Sequence, residues 1–193
     1  MARTETRAAI VGIASQLLRV NGYDGTGIDA VLKQARVPKG SFYHYFKSKD
    51  ELGLAIIEDA ARELAAKLEK HLGDEAHTPL QRLRGYFESA IVAQRRSECT
   101  RGCLFGTLGL ELASKNARLR RRIAEEFTSW KERVAGCLRQ AQQAGELGAG
   151  HDAAELAGFI LSAWEGAILR AKVAKSVAPL RQCVDLLFRR VLA

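Results

Sequence analysis

Pro38 and Gly40 constrain the fold of this chain more than any other pair of residues. The residue before a proline is pushed away from helical angles, so Val37 belongs to a turn and a new helix begins near Lys39. Phe42, Tyr45 and Phe46 stand at i, i+3 and i+4 and share one helix face, which can pack inward. The opposite face carries Lys39, Ser41, Tyr43 and His44, donors of the kinds that touch phosphates and base edges. Ser48-Lys49-Asp50-Glu51 reads as a capping box that opens the next helix. It places Lys49 in a first turn, where a cation opposes the helix dipole unless an anion such as a phosphate lies nearby. Taken alone, the stretch also reads as a small aromatic helix, half core and half solvated.

The residues before it decide between these readings. Ile28, Val31, Leu32 and Ala35 lie at helical spacing, and Thr26-Gly27-Ile28-Asp29 can cap their start. Arg36-Val37-Pro38 is a short turn between two short helices. The arrangement is a helix-turn-helix, with the aromatic helix as the recognition element.

Residues from about Thr4 to Leu64 resemble the DNA-binding domain of the TetR family of bacterial transcriptional regulators. The resemblance rests on Gly22-Tyr23, on Thr26-Gly27-Ile28, on Val37-Pro38-Lys39-Gly40-Ser41-Phe42-Tyr43-His44-Tyr45-Phe46 and on Lys47-Ser48-Lys49-Asp50-Glu51-Leu52. It implies a homodimer on a palindromic double-stranded DNA operator, with DNA contacts from Thr26, Gly27, Lys39, Gly40, Ser41, Tyr43, His44 and Lys49. Tyr43 and Lys49 would hold backbone, and Lys39 and His44 would bear on base choice. Arg3, at the start of the first helix, is a further expected phosphate contact, against the alternative of a solvated basic arm. The implied organisation is a helix-turn-helix domain over residues 1–50, with homology to about 64, and a ligand-binding and dimerisation domain over 51–193.

Charge agrees with a polyanionic partner. The chain carries +8, and residues 1–50 hold eight Lys/Arg against four Asp/Glu, about half the excess in a quarter of the length. Charge by itself does not separate DNA from RNA or from a merely solvated surface. Abundant Ala and Leu with three prolines and little alternation predict an all-α fold. Met1–Ile10 lacks the apolar core of a signal peptide, and Leu156–Leu169 is too short and too charged to span a bilayer. A cytoplasmic location is expected, with no membrane partner and with Cys99, Cys103, Cys137 and Cys183 as thiols.

Periodicity and caps predict nine helices, over about 4–20, 27–34, 39–46, 49–72, 79–96, 102–114, 116–144, 152–175 and 179–192. Thr78-Pro79-Leu80-Gln81 and Asp152-Ala153-Ala154-Glu155 are the clearest starts. The last two helices carry Leu156, Phe159, Ile160, Ala163 and Ala167, then Val184, Leu187, Phe188 and Val191. These serve either as a four-helix dimer interface, as the resemblance implies, or as intramolecular core.

No catalytic constellation, phosphate loop or paired metal-ligand spacing is present, so neither an enzyme nor a cofactor or metal is expected. Cys103 carries the chemical interest. The expected first turn of the sixth helix and the adjacent Arg101 favour thiolate there, while the alternative is a small buried hydrophobe. Arg101-Gly102-Cys103-Leu104, with Leu108 and Glu111, and Trp164 to Lys172 resemble one TetR subgroup that answers to small electrophiles or small unsaturated acids. That likeness implies an effector sensed through Cys103. Lys172 or Arg170 can neutralise a carboxylate or a thiolate, and Tyr86, Phe105, Trp130 and Trp164 either line a small pocket or are plain core. Capture of an acid or apolar ligand without thiol chemistry stands beside sensing through Cys103. So do a Cys99–Cys103 redox pair and, in another class, a thiol redox enzyme.

Overall fold

A computed structural model describes residues 3–193. Among the described residues there are helices, turns and no strand, so the fold is all-α. The helices are α1 Arg3–Asn21, α2 Ile28–Ala35, α3 Phe42–Tyr45, α4 Lys49–Leu72, α5 Pro79–Arg96, α6 Leu104–Leu112, α7 Ala117–Gln143, α8 Ala153–Ala174 and α9 Ala178–Leu186. They form two compact units. One holds residues up to Glu63 with Cys103–Glu126, and the other holds Leu64–Gly102 with Phe127–Ala193.

In the first unit, Gly22 ends α1 at φ +77°, the left-handed conformation that suits glycine, and its N–H closes onto Leu18 O at 2.9 Å. α1 packs on α2 and α6. Ile10, Ala14 and Leu18 from α1, Val31 and Leu32 from α2, and Leu52 and Ile56 from α4 are all buried.

The recognition segment is shorter than its sequence predicts. Lys39–Ser41 forms a 3₁₀ turn, α3 is a single turn, and Phe46 is already extended at φ −142°. Pro38 forces an extended entry at ψ 141°, and the chain must straighten again before Ser48 can start α4. Phe42 and Phe46 are buried with ring centroids 5.6 Å apart, while Tyr45 is only half-buried. The capping box before α4 is modified. Glu51 N–H donates to Ser48 Oγ at 3.2 Å, but the Glu51 carboxylate accepts from Lys47 N–H at 2.7 Å, one residue early. Thr26 is not a cap. Gly27 occupies that position without a side-chain bond, and the Thr26 hydroxyl donates to Gly22 O at 2.7 Å from a buried site.

In the second unit, α5 opens on the expected reciprocal box of Thr78 and Gln81, and α8 on Asp152, whose carboxylate accepts from Ala154 and Glu155 N–H. α8 packs on α9, and α5 packs on α9. α9 is shorter than expected, because Leu187–Val191 relaxes into a π-helical turn. Four of the residues expected at a dimer interface, Ile160, Ala167, Val184 and Leu187, are buried within the single chain. The apolar side chains that α8 leaves in solvent are Phe159, Leu169 and Val173. No helix of the described residues is long and apolar enough to cross a membrane.

Candidate nucleic-acid interface and sensing region

Gly27, Asp29, Lys39, Tyr43 and Lys49 line one open cleft of about 340 Å³ on the first unit. Phe42 is the inward anchor of this surface, and Tyr43 stands edge-on to it, 5.3 Å between centroids, while remaining 70% exposed. His44 and Gly40 are exposed and Ser41 is half-buried. Lys39 Nζ donates to Asp29 Oδ2 at 2.9 Å, which holds the ammonium above its ordinary range. Both groups are exposed, so an incoming phosphate or base can displace or share this ion pair at little cost. Arg7 stacks over the Phe46 ring at 5.1 Å. The Arg3 side chain lies outside the described residues. Thr26 is 4% exposed, and its hydroxyl donates to Gly22 O.

Lys49 resolves the electrostatic conflict seen in the sequence. Its Nζ donates to Tyr23 O at 2.7 Å and lies 4.5 Å from the Tyr23 ring centroid. The cation at a helix start therefore already meets a carbonyl dipole and an aromatic face, and it retains further N–H donors for an anion. Tyr23 OH donates to Asp50 Oδ1 at 2.7 Å, and burial together with that carboxylate pushes the phenol well up.

A polar clasp from α6 holds the turn between α1 and α2; the sequence singles out Glu111 and Gly22-Tyr23 only within the resemblances, not as partners. The Glu111 carboxylate accepts from Tyr23 N–H at 3.1 and 2.9 Å and from Asp24 N–H at 3.1 Å. A Cβ on Gly22 would stand 2.2 Å from Glu111 Oε1, so the clasp requires glycine there. Lys115 Nζ donates to Asp24 Oδ2 at 2.6 Å, which lowers the Asp24 carboxyl below its usual range. The Glu111→Ala variant should lose about 2 kcal/mol, since backbone donors that met a carboxylate are left to water or to nothing. Urea unfolding followed by circular dichroism checks this. Unchanged stability would mean that the clasp is idle.

Cys103 belongs to the same unit. It caps α6 in an extended conformation, φ −67° and ψ 129°, and is half-buried. The sequence placed it one step later, inside the first turn; its ψ excludes it from the helix. Its carbonyl accepts Thr107 N–H at 2.9 Å. Burial pushes the Cys137 thiol up to about 11, with Sγ donating to Pro79 O at 3.2 Å, and burial raises Cys183 as well. Cys99 is buried at φ +52°. Phe105 is buried in α6, in the first unit.

The other predicted sensing residues belong to the second unit. Tyr86 and Trp130 meet edge-on at 6.3 Å, Tyr86 meets Phe87 at 5.3 Å, and Phe87 meets Trp164 at 4.8 Å. This cluster is core, as aromatics at helical spacing usually are. One member is incompletely satisfied: Trp130 Nε1 is buried without a hydrogen-bond acceptor among the described residues. Lys172 is half-buried on α8. Among the described residues no group of three or more His, Cys, Asp or Glu side chains could hold a metal.

Comparison with known proteins agrees with this geometry. Residues 10–56 match the model of bacterial regulatory proteins of the tetR family, and residues 79–187 match the tetracyclin repressor-like C-terminal domain. The chain is 42% identical to the transcriptional regulator AcuR of Cereibacter sphaeroides over 84% of its own length and 74% of that protein's. It is 28% identical to the HTH-type transcriptional repressor NemR of Escherichia coli, over 93% of this chain and 90% of NemR. The crystal structure of a regulatory protein TetR from Rhodobacter sphaeroides superposes with a TM-score of 0.92 at 38% identity, covering 95% of this chain and 97% of that one. These relatives are regulators and not enzymes, which sets aside a thiol redox enzyme. With its helix-turn-helix unit and its matched C-terminal region, the chain is a DNA-binding transcriptional regulator that belongs to the TetR family.

Proposed function

We propose that this regulator is a cytoplasmic repressor that binds a palindromic operator as a homodimer and lets go when a small effector is sensed. Residues 1–50 would hold the DNA, and 51–193 the effector and the second subunit. The observation that carries the reading is the single open face shared by Lys39, Tyr43 and Lys49, with His44 exposed beside it. Tyr43 and Lys49 anchor phosphates, Gly27, Gly40 and Ser41 let the backbone approach, and Lys39 and His44 read bases. Arg3 is a further phosphate contact. Tyr43→Phe and Lys49→Ala then weaken binding about equally on all sequences, while Lys39→Ala changes the preference between operator variants. Binding-site selection on the three variants tests this division. The same relaxed preference in all three would overturn it.

Cys103 is the proposed sensing thiol for electrophiles. It caps the helix whose Glu111 seats the α1–α2 turn, so an adduct that shifts α6 acts on the DNA-binding unit directly. Cys137 and Cys183, with raised thiols, are poor competitors for the reagent. The test is a band shift with and without a maleimide. Wild type should release DNA and the Cys103→Ser variant should hold it, with the adduct mapped to Cys103. A variant that releases normally would leave Cys103 as packing.

A second reading, a non-covalent acid or apolar ligand, is favoured by one observation. The orphaned Nε1 of Trp130, beside Tyr86, offers a donor to an acceptor atom in an otherwise apolar site. Trp164 and Lys172 on α8 of the same unit would complete it. Release of wild type and Cys103→Ser alike by a small unsaturated acid supports this reading over the thiol.

A further inference from the structure

The start of α7 breaks a local electrostatic rule. Its first turn holds no acid and a run of arginines, although cations oppose the dipole at a helix N-terminus. Two of them are used internally. Arg120 Nη1 donates to Ala113 O at 3.4 Å, and Arg122 pairs with Glu125 and Glu126. Arg118 and Arg121 are exposed and, among the described residues, have no carboxylate within ion-pairing distance.

Their neighbourhood is defined by Asn116. Its Oδ1 accepts from Arg118 and Leu119 N–H at 3.2 and 3.1 Å, and its Nδ2 donates to Asp50 Oδ2 at 2.7 Å. Leu119 lies against Gly53, close enough to meet a Cβ there at 3.4 Å. The first turn of α7 is therefore fastened to the first turn of α4, which carries Lys49. Side chains on a helix lean toward its N-terminus, which is the end of α7 that Asn116 ties to the start of α4. The acids in between already have partners: Asp50 accepts from Tyr23 and Asn116, and Asp24 from Lys115. None of these carboxylates forms an ion pair with Arg118 or Arg121 among the described residues.

We propose that Arg118 and Arg121 extend the DNA-binding surface beyond the helix-turn-helix and contact phosphates of the same duplex that Lys49 holds. Guanidinium suits phosphate oxygens through paired N–H donors, and such contacts carry affinity without sequence information. The inference rests on the placement of DNA at Tyr43 and Lys49.

The experiment is fluorescence anisotropy of full-length protein on labelled DNA from upstream of its own gene, as a function of salt. Each lost phosphate contact lowers the slope of log K against log salt by about 0.9. The Arg118→Gln/Arg121→Gln variant should lose about 1.8 in slope per protomer, with an unchanged preference for operator over competitor. Arg118→Lys/Arg121→Lys should restore most of the slope, because the charge returns; a structural role would not be rescued in this way. The proposal is overturned if the Gln variant keeps the wild-type slope while Lys49→Ala lowers it. If Lys49→Ala also keeps the wild-type slope, the placement of DNA is itself wrong and the inference falls with it.

Discussion

Phe42→Ala should abolish operator binding by unfolding the DNA-binding unit, at a cost of about 3–5 kcal/mol. Phe42 is 1% exposed, stacks near Phe46 and supports Tyr43 edge-on. α3 has a single turn and no side-chain cap of its own, so its main buried anchors are this ring and Phe46 just after it. Truncation leaves a cavity beneath the one segment that presents Tyr43 and His44. Thermal unfolding should show an early transition from the first unit, while tryptophan fluorescence of Trp130 and Trp164, both in the second unit, reports that unit separately. A variant that binds DNA like wild type would show that α3 is held in place by other contacts.

Leu169→Asp should separate the proposed dimer into folded monomers and reduce operator affinity by at least about 100-fold, because the second half-site is no longer delivered at high effective concentration. Leu169 is 56% exposed and Val173 78% exposed in the single chain, and with Phe159 they follow helical spacing along α8. Apolar side chains lined up on one exposed helix face suit the proposed interface. A carboxylate there is solvated in the monomer and unpaired in the dimer. Ile160→Asp is the contrasting variant: Ile160 is fully buried in its own chain, so the charge should break the fold and not merely the association. Sedimentation at micromolar concentration distinguishes the two outcomes. A wild-type monomer, or a Leu169→Asp dimer, would contradict the assignment.

Helix by helix, what the sequence discloses follows the range of the interactions involved. Thr78 with Gln81 and Asp152 with Ala154 and Glu155 act within one turn, and both starts are where the residues place them. The recognition segment is misjudged in length, because an apolar i, i+3, i+4 pattern does not say where Pro38 and the approach to Ser48 straighten the backbone. Thr26 is misjudged in role: its hydroxyl finds Gly22 O four residues back instead of the α2 N–H groups. The Glu111 clasp joins residues 88 apart, and no local pattern encodes it. α8 is apolar on more than one side, so its sequence could not say that Ile160 and Ala167 face the chain's own core while Phe159, Leu169 and Val173 face outward.

The most direct measurement is a titration of labelled DNA from upstream of the protein's own gene in the presence of a large excess of unrelated DNA. The expected result is a discrete complex with an affinity in the range of about 10⁻⁸ to 10⁻¹¹ M, at least about a thousandfold above competitor, falling steeply with salt and weakened by Lys49→Ala. Equal displacement by any DNA, or binding that ignores Lys49→Ala, would contradict an operator-binding regulator that grips DNA through this face.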